Sequence, residues 1–243
     1  SLRQQAAASL GADLGVTSDL FPLESCTAAE ATCAAVASAE AAARSAAAPG
    51  AEVADAGTEV ADAGTERDAA ASTQPGDAGG SPPELDARVL DRLETYLRLL
   101  AVPARRDLDS AIVQSGERLF TDAGCPACHV PSHVTAANAS LPELRRQRIW
   151  PYTDLLLHDL GPDLSDGRPS FDAAGSEWRT PPLWGLGLYA TVNGHEQLLH
   201  DGRARGVAEA VLWHDGEGAT ARDRFLTFSA DERAALVAFV ESL

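Results

Sequence analysis

Cys125-Pro126-Ala127-Cys128-His129 constrains this chain more than any other stretch. A Cys-x-x-Cys-His pentapeptide is the attachment signature of c-type haem. Two thiols at this spacing can add across the two vinyl groups of one porphyrin. The adjoining histidine is then held under the iron as its proximal ligand. Two other chemistries compete. For zinc, His129 follows Cys128 too closely for an ordinary tetrahedral set, and no second cysteine pair lies downstream. A thioredoxin-like dithiol would want a βαβ context. The flanking Gly116-Glu117-Arg118-Leu119-Phe120 reads instead as a short helix running into the motif.

The formal charge of -17 over 243 residues argues against nucleic acid as a partner, since nothing here would neutralise phosphates. An acidic surface suits weak, salt-sensitive docking to a basic protein. No stretch approaches the roughly 20 apolar residues of a membrane span. The chain opens on Ser1-Leu2-Arg3-Gln4-Gln5 and contains no methionine, so it reads as a processed product or a fragment. Haem c is attached outside the cytoplasm. An export signal upstream and a periplasmic or otherwise exported location are therefore expected. Cys26 and Cys33 are left over, and in an exported protein they most simply form a disulfide, with two buried thiols as the alternative.

Composition divides the chain in three. Residues 1–35 are ordinary and carry the expected disulfide. Residues 36–84 form a low-complexity Ala-, Gly- and Asp-rich acidic linker, in which Glu52–Thr58 is repeated at once as Glu59–Thr65. One valine per heptad cannot make a coiled-coil seam, so a disordered linker is expected. Residues 85–243 read as the haem domain. There Leu90, Leu93, Leu97 and Leu100 share a helical face from about Asp86. Further helices are expected over Ser110 to Asp122, Val207 to His214, and from Ser229, where Ser229-x-x-Glu232 is a capping box. Residues 130–205 are rich in Pro and Gly with few strand signals. The predicted fold class is all-α: a cytochrome c-like domain with long loops, preceded by the linker.

With no methionine, His/Met ligation is excluded, so the second axial position holds one of the five histidines besides His129, a weaker ligand such as Tyr, or stays open. On the 207–214 helix, Val207, Ala210, Val211 and His214 share one face. His214 is thus the first candidate, against the plain alternative of a hydrogen-bonded core histidine. His200, in the turn Leu199-His200-Asp201-Gly202-Arg203, reads more simply as a propionate or backbone partner. His158, His195 and His133 are weaker candidates. Arg203 and Arg205 could pair with propionates or form a solvated basic turn. Trp178, Trp184 and Trp213 could line the haem pocket or relay electrons, with simple packing as the alternative; Trp184 is carried forward as a pocket residue.

Three long runs converge on one family. Tyr152–Gly161 (YTDLLLHDLG), Glu177–Gly187 (EWRTPPLWGLG) and Leu199–Ala204 (LHDGRA) resemble the signature runs of the bacterial di-haem oxidoreductases often labelled thiol oxidoreductases. That family is related to the di-haem cytochrome c peroxidases and to the di-haem enzyme that matures the tryptophan-derived quinone of methylamine dehydrogenase. The resemblance covers about 85–243 and Gly11 to Cys33. It implies two haem c domains, of which this chain, with one motif, corresponds to the C-terminal half. The implied partners are an N-terminal haem domain of the same precursor and a small electron-transfer protein, with calcium between the haems. In the peroxidase relatives this haem receives electrons, and its distal ligand ends a Glu-Ala-Val-x-x-ligand helix. Glu209–His214 matches that run and puts histidine where the peroxidases have methionine and the quinone-forming enzyme has tyrosine.

The functional expectation is an electron-transfer haem domain with His129 and His214 as axial ligands, the peroxidatic site lying outside this chain. A stand-alone mono-haem carrier without enzyme activity is the alternative. Disulfide exchange at Cys26 and Cys33 is a third reading. It is weakened by the absence of Cys-x-x-Cys spacing and of an activating His or Lys neighbour.

Overall fold

The computed structural model of the chain describes residues 1–23, 26, 30–47 and 83–243. They form two compact units, Ser1–Leu100 and Ala101–Leu243. In the first unit, α1 (Leu2–Leu14) is capped by the Ser1 side chain and stops at Gly15 in the left-handed conformation. α2 (Ala31–Ala47) carries Cys33 in its first turn, bonded to Cys26. α3 (Ala87–Leu99) starts where the Asp86 carboxylate accepts the Val89 N–H. The α1 and α3 helices pack together, Arg3 pairs with Asp91, and Ala7 and Leu90 are buried. Glu84 accepts the Thr17 N–H, which closes this unit at the base of α3.

α2 runs through Ala47, into the stretch whose composition reads as a linker. Alanine is the best helix former, and a run of it extends the helix well past residue 36. The repeat at Glu52–Thr65 lies outside the described residues.

The second unit is built on α4 (Ala111–Ala123), which ends at Gly124. Gly124 has φ 88, a left-handed turn that glycine adopts without penalty. It swings the chain into the Cys125–Ala127 3-10 turn. Two short hairpin-like pairs follow: β1 (His133–Val134) with β2 (Arg148–Ile149), and β3 (Leu157–Asp159) with β4 (Glu177–Arg179), both antiparallel. Then come α5 (Tyr189–Asn193), α6 (Val207–Leu212), α7 (Ala219–Thr227) and α8 (Ala230–Ser242). The capping box at Ser229 and Glu232 is formed on both sides.

The all-α expectation is therefore corrected to a mixed fold, about half helical with two small antiparallel sheets. The physical reason lies in 130–205, where there is little helical periodicity and α5 is only five residues long. Backbone N–H and C=O groups there still find partners, and short, partly exposed ladders supply some of them where helices do not. None of the described helices is long and apolar enough to cross a membrane.

The core sits between α4 and α8, with α6 and α7 closing its flank. Val113, Phe120, Tyr152, Val207, Phe225, Leu236, Phe239 and Val240 are its buried members. Phe120, Tyr152 and Phe239 form a three-ring cluster with centroids 5.2 to 5.9 Å apart. That cluster sits directly behind His129, whose ring lies 6.3 Å from Phe120.

Candidate functional site

His129 and His214 face each other with ring centroids 6.5 Å apart. His129 closes the turn that begins at Cys125, its backbone N–H donating to the Cys125 carbonyl at 2.9 Å. His214 follows α6, whose apolar face is held by Val207, Ala210 and Val211 against the core. The helical-face argument for His214 thus corresponds to an inward position.

Both rings are held in the same way. His129 Nδ1 is 2.9 Å from the Tyr152 carbonyl, and His214 Nδ1 is 2.8 Å from the Ala210 carbonyl. A carbonyl can only accept, so each Nδ1 carries the proton. Each Nε2 then keeps its lone pair, and among the described residues neither has a hydrogen-bond partner. A ligating histidine is ordinarily oriented through its other ring nitrogen in this manner.

Burial sets the charge. It pushes the His129 imidazole down to about 4, with the Tyr152 carbonyl opposing. Burial also lowers His214, against the Ala210 carbonyl. At neutral pH both are uncharged, the form a metal requires. Tyr152 presents its carbonyl from a backbone with φ 54, an uncommon conformation for an aromatic residue. It is buried, and its ring packs on Phe239.

The spacing of the two rings fits a single metal atom between them. Metal–nitrogen bonds of roughly 2 Å, plus roughly 1 Å from nitrogen to ring centre, give centroids about 6 Å apart. Cys125 and Cys128 are both unbonded. Burial pushes the Cys125 thiol up to about 11, and burial, then Asp154 and Glu217, raises Cys128. Neither is poised as a thiolate, which opposes a dithiol redox role. Among the described residues, Cys128, Asp154 and His158 also form a cluster of possible metal donors. Both nitrogens of His158 are already engaged by carboxylates, at 2.8 Å from Asp154 and 2.8 Å from Glu217.

The remaining sequence candidates are placed elsewhere. The His200 ring lies flat on Trp178, 3.7 Å between centroids and 11° between planes. Arg203 pairs with Asp201 at 2.7 Å and stands 4.8 Å over the Trp213 ring. Arg205 is exposed and pairs with Glu209. Trp184 lines a cavity of about 480 Å³ with Trp150, Tyr152, Arg105 and Arg148. His133 donates to the Thr153 carbonyl, and the His195 Nδ1 accepts the Gln197 N–H. Sequence reasoning missed Tyr152, Asp154 and Glu217. Tyr152 acts through its carbonyl, which no side-chain pattern reveals, and the two carboxylates meet His158 only in three dimensions.

Two thiols with an adjoining imidazole, opposed by a second buried imidazole, are the donor set that c-type cytochromes use. A family model described as "Di-haem oxidoreductase, putative peroxidase" matches residues 46–243, and the chain belongs to that family. The match begins after Cys33 and runs through the acidic stretch. Comparison with curated proteins and with solved structures finds no match.

Proposed function

We propose that Ala101–Leu243 is the haem c-binding, electron-transfer part of an exported di-haem oxidoreductase. Cys125 and Cys128 would carry the thioether links, with His129 and His214 as axial ligands. The observation that carries this reading is the facing pair of neutral, buried imidazoles beside two thiols. When bound, the haem supplies one-electron chemistry. The chain's own residues hold the ligands still: the Tyr152 and Ala210 carbonyls fix both tautomers, and the Phe120–Tyr152–Phe239 cluster keeps water out behind His129.

With His214 in the sixth position, no open place remains for peroxide. Peroxide reduction then belongs to a second haem, on the N-terminal haem domain of the same precursor. Two imidazoles also favour a lower potential than His/Met ligation. The charge of -17 suits a basic electron-transfer protein as the other partner. The resemblance would add calcium between the haems of the full-length protein.

The test is the spectrum of the haem-loaded full chain. A low-spin, six-coordinate ferric state is expected, and H214A converts it to high spin, with added imidazole restoring the low-spin bands. A five-coordinate wild-type haem with rapid peroxide turnover overturns the proposal. The single Cys-x-x-Cys-His motif favours a second reading, a stand-alone mono-haem carrier. A second haem motif encoded upstream of Ser1 decides for the enzyme.

A further inference from the structure

We propose that His158 is a positioning residue: its imidazolium clamps the loop behind the proximal ligand to the turn behind the distal one. This inference rests on the reading of His214 as an iron ligand. His158 Nε2 is 2.8 Å from Asp154 Oδ2, and Nδ1 is 2.8 Å from Glu217 Oε2. Carboxylate oxygens only accept, so both ring nitrogens donate and the ring carries both protons. Charge-assisted hydrogen bonds of this kind are the strong ones. The same two bonds rule out metal ligation by His158, because no lone pair is left.

What the two carboxylates belong to gives the clamp its meaning. The Asp154 backbone N–H donates to the Cys128 carbonyl at 2.8 Å, and Thr153 N–H donates to Val130. Tyr152, in the same loop, is the partner of His129 Nδ1. Asp154 is thus tied to the haem motif and to the residue that aims the proximal ligand. Glu217 lies in the 3-10 turn Gly216–Gly218, just beyond His214. Its second oxygen accepts the Asp159 N–H at 3.2 Å. Gly216 lets that turn press on β3, since a β-carbon there would overlap the Asp159 carbonyl. The hydrogen bond to Glu217, and then that to Asp154 against burial, raises the His158 pKa, so the doubly protonated ring persists to higher pH than a free imidazole's. The His158 side chain is only 15 % exposed, which limits competition from water.

Were a haem held by both His129 and His214, an external ligand would need His214 to move aside. A turn pinned to β3 resists that departure. The experiment measures cyanide binding rates and ferric spectra for the haem-loaded full chain and for H158Q, E217Q, the double variant and H214A. Loss of one charge-assisted bond corresponds to acceleration by about tenfold. H158Q and E217Q are each expected to show it, and the double variant no more than either alone, because all three break one device. A merely structural role would lower the melting temperature and leave the exchange rate unmoved. Glu217 is 57 % exposed, so E217Q keeps the test available should H158Q fail to fold. Wild-type rates in the single variants, or effects that multiply in the double variant, overturn the clamp. An H214A protein with the wild-type spectrum overturns the ligand reading, and the clamp falls with it.

Discussion

Gly116 of α4 lies directly against Ala235 of α8: a β-carbon at 116 would overlap the Ala235 carbonyl and stand 2.6 Å from the Phe239 Cβ. The two helices meet backbone to backbone at this point. That approach sets Phe120 and Phe239 5.2 Å apart and, through Tyr152, fixes the carbonyl that holds His129.

For G116A two effects oppose each other. Alanine in place of glycine inside a helix gains about 1 kcal/mol from propensity. Overpacking a rigid contact costs about 1–3 kcal/mol, and more where the neighbour is backbone and cannot turn aside. Here the neighbour is a carbonyl, so the overlap wins. Net destabilisation of at least about 1 kcal/mol is expected, read as a lower urea midpoint of the haem-loaded protein. A midpoint at or above wild type would show that α4 and α8 are not in contact here.

His200 offers a test of which histidine is the ligand. Its ring lies flat on Trp178, whereas the ring next to His129 is that of His214. H200A is expected to leave the low-spin spectrum unchanged. Conversion to high spin would transfer the sixth position from His214 to His200.

Three histidines give the stability a two-sided dependence on pH. His129 is pushed down to about 4 by burial, and His214 is lowered for the same reason. The unfolded chain binds these protons near the ordinary value of about 6.5. Between there and about 4, the unfolded state holds more protons, so stability falls as pH falls through that window and is complete above it. His158 works in reverse. Its pKa is raised, first by Glu217, so its contribution is present below the ordinary value and is lost as pH rises through the raised one. In the haem-free chain, where His129 and His214 are free to titrate, urea midpoints across this range should fall on both sides of a maximum. H158Q should flatten the alkaline limb and spare the acid one; an unaltered alkaline limb would assign it to another group.

The site was legible in the sequence to the extent that it follows local periodicity. The Cys125–His129 pentapeptide is contiguous, and His214 shares a helical face with Val207 and Val211, so spacing alone nominates both. The anchor of His214, the Ala210 carbonyl, is also a matter of helical spacing. The anchor of His129 is not: Tyr152 reaches it through a left-handed backbone after a loop with no period. The two small sheets escaped for a related reason. Strands of two or three residues, such as Glu177–Arg179, are too short to show alternation, and their pairing with Leu157–Asp159 satisfies backbone groups rather than a side-chain pattern. The helix α7 was missed because Ala219–Thr227 buries only Phe225 and so carries no apolar stripe. The reach of α2 past residue 36 was hidden by its alanine-rich composition, which reads equally as low complexity.

The thiols distinguish haem attachment from dithiol chemistry without reference to the iron. Burial raises Cys125 to about 11 against the model-compound range near 9, and Cys128 moves in the same direction. Two pKa units lower the thiolate fraction at mildly alkaline pH by about a hundredfold. Since the thiolate is the attacking species, and a more basic thiolate is about tenfold more nucleophilic over two pKa units, the haem-free folded chain is expected to react with a disulfide reagent about ten times more slowly at Cys125 than a free cysteine does. The haem-loaded chain should show no reactive thiol at either position, because both sulfurs are then in thioether links, and its mass should exceed that of the bare chain by one haem. Rapid, stoichiometric reaction of both cysteines in the folded haem-free protein would contradict their burial and reinstate the dithiol reading of Cys125 and Cys128.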